Sequence, residues 1–303
     1  MSKGYLFLLA ITLMILPVKS QAKINIFACE PEWESLVKEI GMDHVKIFLA
    51  TNAKQDPHYI KARPSLIAKI RKADLLICSG ADLESGWLPL LLLKANKNIQ
   101  PGKTGYFMAS DFVDTIGKPI SLDRSMGDVH ANGNPHIHLN PYNILLVAQE
   151  LTNRLKNIDP ENSYDYQNNY DGFIVKWKRA IDQWEAKAAK LAGIKIISHH
   201  KSFSYLFDWL KITEIATLEL KPGIAPTSHH LAELLILTKN EKISFIALTP
   251  YDPTKISNWM SNKANITTLI LPYTVGGNNE SYDLFSLFDN MINLMINANK
   301  KIK

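Results

Sequence analysis

Short apolar runs alternate with longer amphipathic stretches along most of the chain. Strands are predicted over 24–29, 45–49, 74–79, 105–108, 194–199, 213–218, 243–249 and 267–272. Helices fall between them. In 64–73, Pro64 takes a first-turn position and Leu66, Ile67, Ile70 and Ala73 keep helical spacing. In 140–156, Asn140 is placed to cap, Pro141 starts the helix, and Ile144, Ala148, Leu151 and Leu155 form one stripe. Strands this short and this apolar, each followed by a helix, predict an α/β fold of parallel sheets flanked by helices.

One stretch breaks that rhythm. Between Glu161 and Leu191 there is no proline, and Gly172 is the only glycine. Phe173, Trp177, Ile181, Trp184, Ala188 and Leu191 recur every three or four residues. A helix of about 30 residues would be about 45 Å long, which suits a strut bridging two lobes better than an element of an ordinary α/β domain. The predicted division is a leader over 1–22, an N-terminal lobe over 23–158, a linking helix over 159–192 and a C-terminal lobe over 193–303, with both lobes contributing to a metal site.

The leader changes the picture of where the protein works. Lys3 precedes an apolar run from Tyr5 to Val18, and Ser20-Gln21-Ala22 offers small residues where a signal peptidase reads. This predicts a secretory signal peptide and a periplasmic mature chain. No later segment reaches the roughly 18 uninterrupted apolar residues of a membrane-spanning helix. The chain is 46% hydrophobic, enough for one or two good cores, and carries 34 Lys+Arg against 29 Asp+Glu. Loss of Lys3 and Lys19 with the leader would leave 32 against 29, and no run of five basic residues occurs, so nucleic acid is not an expected partner. Cys29 and Cys78 each end a strand-like run. If those strands are neighbours a disulfide is feasible in an oxidising compartment; otherwise both are buried thiols.

Candidate chemistry lies in the histidines. Three of the nine fall at, or close to, strand-to-helix junctions: His58 in Gln55-Asp56-Pro57-His58, His136 in Gly133-Asn134-Pro135-His136, and His200 after the strand Ile194–Ser198. In open α/β sheets such junctions line the crevice where ligands bind. Two belong to the first lobe and one to the second, so a cleft between lobes would bring them together. Three neutral imidazoles with an oxygen ligand or water suit zinc, whereas magnesium and calcium favour oxygen. His130 is a candidate auxiliary ligand. His138 either binds or faces solvent, and only one of His199 and His200 is expected to reach the cleft. His229 and His230, after Pro226-Thr227-Ser228, are expected at a solvated helix start, and His44 carries no functional expectation.

These residues also carry a family resemblance, over essentially the whole mature chain. Asp56-Pro57-His58 with Arg63-Pro64-Ser65, Asn134-Pro135-His136 leading into Leu139-Asn140-Pro141, His200-Lys201-Ser202-Phe203 and Gly223-Ile224-Ala225-Pro226 appear in order. The set resembles the metal-binding substrate receptors of the cluster A-I (zinc/manganese) ABC transporters. The resemblance implies two α/β lobes bridged by one long helix, a buried metal between them and little hinge closure. It implies His58, His136 and His200 as metal ligands, zinc ahead of manganese because the third ligand is His rather than Glu, delivery to an ABC-transporter membrane permease, and a monomer. The family's usual acidic fourth ligand, just after the last strand, is missing from Leu271–Gly277; water, His130, Glu280 or Asp283 remain for that position. Asn140 stands where the family usually has Asp, and the long His/Asp-rich loop of many zinc receptors is absent.

Two other classes compete. A secreted zinc-dependent hydrolase needs an open coordination position and a general base, yet the chain has no His-Glu-x-x-His helix and no Gly-x-Ser-x-Gly elbow. A receptor for an organic solute would bind no zinc. The expectation is therefore capture without catalysis, with no catalytic residues.

Overall fold

The computed structural model describes residues 22–119, 130–221 and 223–300. The predicted leader lies outside the described residues except for Ala22.

The first half runs β1 (Ile24–Ala28), α1 (Pro31–Gly41), β2 (Val45–Leu49), α2 (Pro64–Ile70), β3 (Leu75–Cys78), α3 (Leu88–Leu92), β4 (Tyr106–Met108) and α4 (Pro141–Ile158). After α5 (Ser163–Ala188) come β5 (Lys195–Ser198), α6 (Ser204–Trp209), β6 (Thr213–Thr217), α7 (Ser228–Asn240), β7 (Ile243–Leu248), α8 (Thr254–Ala264), β8 (Thr268–Ile270) and α9 (Leu284–Lys300). Each predicted strand is present, within two residues at either end. Prolines open α1, α2 and α4, where a missing N–H costs nothing. The Asn140 side chain accepts from the Tyr142 N–H and caps α4 as expected. The helix predicted over 64–73 ends at Ile70, because Asp74 must already donate to the Asn25 carbonyl to enter the sheet.

The described strands form two four-stranded, all-parallel sheets of the same order, β2-β1-β3-β4 and β6-β5-β7-β8. Successive strand side chains point to opposite faces, and here the two faces meet different partners. Ile26, Ala28, Leu75 and Ile77 of the first sheet, and Ile196, Phe245 and Ala247 of the second, share one large central core. Phe27, Cys29, Leu76 and Cys78 pack outward beneath α2 and α3, while Ile197, Ile246 and Leu248 pack outward beneath α7 and α8. The sheets are therefore covered on both faces, which explains their near-continuous apolar strands.

The bridge is α5, a 26-residue helix extended by single 3₁₀ turns at Pro160–Asn162 and Ala189–Leu191. Its buried stripe, Phe173, Trp177, Ile181, Trp184 and Ala188, is the one predicted from spacing. Trp177 donates to the Pro141 carbonyl, and Trp184 stacks on Phe288 of α9. One helix thereby touches both lobes. Gly193, at φ 78°, ends this stretch in a left-handed conformation that favours glycine.

Cys29 and Cys78 are joined in a disulfide, with Cα atoms 4.8 Å apart at the ends of the paired strands β1 and β3. Of the two alternatives open from the sequence, the bonded one is found. Among the described residues no helix is long and apolar enough to cross a membrane.

Candidate metal centre

In an all-parallel sheet every strand ends on the same edge. The segments following β2, β5, β6, β7 and β8 carry His58, His199-His200, Glu219, Asp252 and Tyr273 respectively. Those chain ends converge where the lobes meet.

The ligand-capable atoms of His58, His136 and His200 all lie within 4.8 Å of one another. His58 comes from the loop before α2, His136 from the segment before α4, and His200 from the end of β5, so both lobes contribute. The Asp56 side chain caps the short 3₁₀ turn Pro57–Tyr59 by accepting from the His58 backbone N–H. His136 is similarly set by Asn134, whose Oδ1 accepts from its N–H. Asn134 also donates to the Lys201 carbonyl of the opposite lobe, and Tyr205 of α6 donates to the Asn134 carbonyl. These bonds fix the two lobes at the site.

The ring nitrogens sort themselves. His58 Nδ1 donates to Asp56 Oδ1 at 2.7 Å, and His200 Nδ1 donates to Glu219 Oε2 at 2.9 Å. His136 Nδ1 lies 2.8 Å from the Tyr273 hydroxyl. With each Nδ1 engaged, the nitrogen available to a metal is Nε2 in all three rings. His136 Nε2 is buried and has no hydrogen-bond partner. An orphaned nitrogen in a fully buried ring costs about 1–3 kcal/mol, a cost that coordination to a cation would remove. Partners that orient the far ring nitrogen are the usual outer support of a metal-ligating histidine.

Electrostatics separate the three rings. Burial, then the neighbouring imidazoles of His58 and His200, push the His136 pKa well below that of ordinary histidine. Burial also pulls on His200, but the Glu219 hydrogen bond and the charges of Glu219, Asp252 and Asp56 win and raise it. Asp56 and Glu219 are desolvated, yet their bonds to His58 and His200 hold both carboxyls below their usual range. Two carboxylates held in their ionised form thus stand directly behind the three imidazoles. All-nitrogen donors favour borderline metals such as zinc over harder ones.

The remaining histidines divide clearly. His130 Nε2 lies 3.1 Å from His58 Nε2, beside the cluster. His138 neither joins the cluster nor faces solvent. It is fully buried, with Nε2 donating to the Tyr273 carbonyl at 2.9 Å and Nδ1 3.2 Å from Glu32. The Thr274 hydroxyl donates to Glu32 as well, so this polar group joins the lobes behind His136. His199 lies next to the cluster, against Glu219. His229 is exposed, but His230 corrects the expectation of a solvated helix start: it is buried and its Nε2 donates to the Thr217 carbonyl. His44 pairs with Asp165 on the surface. Of the acids considered for a fourth position, Asp283 caps α9, with Oδ1 accepting from the Ser286 N–H at 2.7 Å, and Glu280 is exposed.

Sequence reasoning missed Asp56, Glu219 and Tyr273 as partners of the three clustered imidazoles. Glu219 and Tyr273 occupy strand-end positions equivalent to that of His200, which was a usable signal. Asp56 had already been placed in the loop of His58.

Residues 26–298 match the family described as ZnuA, the periplasmic component A of a zinc-uptake complex. Among curated relatives, the chain is 24% identical over 256 residues to the zinc-binding lipoprotein AdcA of Streptococcus pneumoniae, covering 84% of this chain and 50% of that protein. It is 30% identical over 171 residues to the manganese ABC transporter substrate-binding lipoprotein scaA of Streptococcus gordonii, covering 55% of this chain and 52% of that protein. The chain thus spans about half the length of these relatives. A crystal structure of ZnuA shares the fold, with a TM-score of 0.71 at 19% identity over 92% of this chain and 98% of that one. So does a manganese-bound periplasmic metal-binding protein from candidatus liberibacter asiaticus, with a TM-score of 0.73 at 16% identity over 93% of this chain and 100% of that one.

Proposed function

Because the chain belongs to the ZnuA family of zinc-uptake components, we propose that it is an exported receptor that captures one divalent transition metal between its lobes and passes it to the membrane permease of an ABC importer. The lobes are residues 23–158 and 193–303, joined over 159–192, and residues 1–22 direct export to the periplasm. His58, His136 and His200 bind the ion through Nε2, and His130, 3.1 Å from His58 Nε2, takes the fourth position. Zinc is the metal this donor set favours; the relatives named for manganese keep that ion as a weaker alternative.

The observation that carries this reading is the convergence of three imidazoles whose Nδ1 atoms are all held while one buried Nε2 has no partner. The metal is cargo. Binding needs the imidazoles to shed any proton, after which the two outer carboxylates balance the charge. A protein that must release its ion intact gains nothing from an activated water, so no catalytic role is assigned.

The test is calorimetric titration of zinc into metal-stripped protein. One equivalent binding at micromolar affinity or tighter is expected, with His136→Ala weakening it severely. Absence of such binding removes the metal reading, and a zinc-dependent hydrolase activity lost in His136→Ala would replace capture with catalysis.

A further inference from the structure

His138 and Glu32 are fully buried, an imidazole and a carboxylate that holding an ion does not by itself require. Both belong to the first lobe, His138 on the 3₁₀ turn before α4 and Glu32 in the first turn of α1. Both reach across to one two-residue segment of the second lobe. His138 Nε2 donates to the Tyr273 carbonyl at 2.9 Å, and the Thr274 hydroxyl donates to Glu32 Oε2. Between these bonds His138 Nδ1 faces Glu32 Oε1 at 3.2 Å, and neither atom has a hydrogen bond elsewhere. An apolar pair of the same volume would hold such an interface about as well. What the polar pair adds is direction, because it fixes where the Tyr273 backbone sits.

The anchors stand on a fixed base. Trp33, next to Glu32, donates from Nε1 to Ser79 Oγ at 2.9 Å and packs edge-on to the His138 ring. Ser35 of the same helix accepts from the Leu284 N–H of the second lobe. Tyr273 then passes the constraint on. Its carbonyl is held by His138, and its hydroxyl lies 2.8 Å from His136 Nδ1. His58 and His200 have their Nδ1 atoms on Asp56 and Glu219, each from the ring's own lobe. Of the three clustered imidazoles, His136 alone has its Nδ1 partner in the opposite lobe.

We propose that His138 and Glu32 are positioning residues for ion capture, which act through the Tyr273–Thr274 segment to make the orientation of the His136 ring depend on how the two lobes dock. The proposal rests on the three-imidazole cluster being the capture site. Parting the lobes at this segment leaves His58 and His200 oriented by their own carboxylates. It frees His136, the most buried ring of the three, so the cluster loosens there first.

The test is a double-mutant cycle on the full-length protein, read as zinc affinity in competition with a chromophoric chelator. His138→Phe keeps the ring volume and removes the donor to the Tyr273 carbonyl. It should weaken zinc by about three- to tenfold, no more than Tyr273→Phe does. In the Tyr273→Phe background the same substitution should cost less than about twofold, because the contact it acts through is already gone. A merely structural role would give additive losses. Thr274→Val keeps its shape and removes the hydroxyl bonded to Glu32; it should show the same dependence on Tyr273, and it carries the test where His138→Phe folds poorly. His138→Gln, which presents an amide N–H in place of Nε2–H, should recover most of the affinity lost in His138→Phe. Unchanged affinity in the single variants, additive losses in the cycles, or a His138→Gln as weak as His138→Phe overturns the proposal. A wild type that takes up no zinc would remove the capture reading itself, so the two failures are distinguishable.

Discussion

The two lobes share a strand order and a parallel sheet, but they equip the metal cluster unequally. The first supplies His58 and His136, has His130 alongside, and is stapled by the Cys29–Cys78 disulfide beneath α2 and α3. It also buries Glu30 and Glu84, with Glu84 pushed up to about 7 by desolvation despite its hydrogen bonds. The second supplies one imidazole, His200, and two hydrogen-bonding partners of the cluster, Glu219 and Tyr273, on three different strand ends. One half is a nearly complete, covalently braced site; the other completes it and orients it. The same fold thus serves as scaffold twice while the chemistry is divided between the halves.

The sharpest way to break this contrast is to remove ligands from each side. His136→Ala should cost the most zinc affinity, more than the roughly 100-fold typical of losing an outer partner, because its ring is the most buried and is tied to both lobes. His58→Ala and His200→Ala should also weaken zinc markedly, while His44→Ala should leave it unchanged. Competition against a chromophoric chelator reads all four. If His200→Ala proved harmless, the second lobe would not be closing the site.

Next comes the staple. Cys29→Ser with Cys78→Ser removes a link across 49 residues and should cost about 2–4 kcal/mol of stability. Thermal melts should show the loss, while zinc affinity stays nearly constant. A large drop in affinity would mean that the disulfide shapes the ligand loops rather than bracing the sheet below them.

Smaller effects are expected from the supports. Asp56→Asn and Glu219→Gln should each weaken zinc by about 10–100-fold, whereas Tyr273→Phe, which removes no charge, should sit at or below about tenfold. The two carboxylates come from opposite lobes, so similar losses would show that charge is balanced evenly across the interface.

The smallest effect is protonic. A histidine whose pKa is raised holds its proton to higher pH and must release it to bind metal. His200 is raised and His136 is lowered, so of these two rings His200 is the one that gives up a proton to zinc. Zinc affinity should fall as pH drops through the raised pKa of His200, and calorimetry in buffers of different ionisation enthalpy should count fewer protons released in His200→Ala. Equal release in both proteins would contradict this assignment.

Much of this was legible in the sequence, for physical reasons. Apolar strands between amphipathic helices forced parallel sheets, and the spacing of Phe173, Trp177 and Trp184 marked the bridge. His58, His136 and His200 were visible as junction residues. What stayed hidden depended on contacts distant in sequence. Nothing local shows that Tyr273 reaches His136, or that His138 turns away to hold the Tyr273 carbonyl and meet Glu32. His230 was misread although a signal existed. It lies one helical turn before the buried Leu234, which places it on the inward face of α7. Asp283, one of the four alternatives left for the fourth position, caps α9, a role its position just before Leu284 already allowed.

The central claim is that three imidazoles from two lobes bind one ion through Nε2. A crystal structure of the zinc-loaded protein, with anomalous scattering measured at the zinc edge, tests it most directly. The account predicts a strong peak about 2.0–2.1 Å from the Nε2 atoms of His58, His136 and His200, with each Nδ1 still on Asp56, Tyr273 and Glu219. A principal peak elsewhere, or coordination through Nδ1, would contradict it.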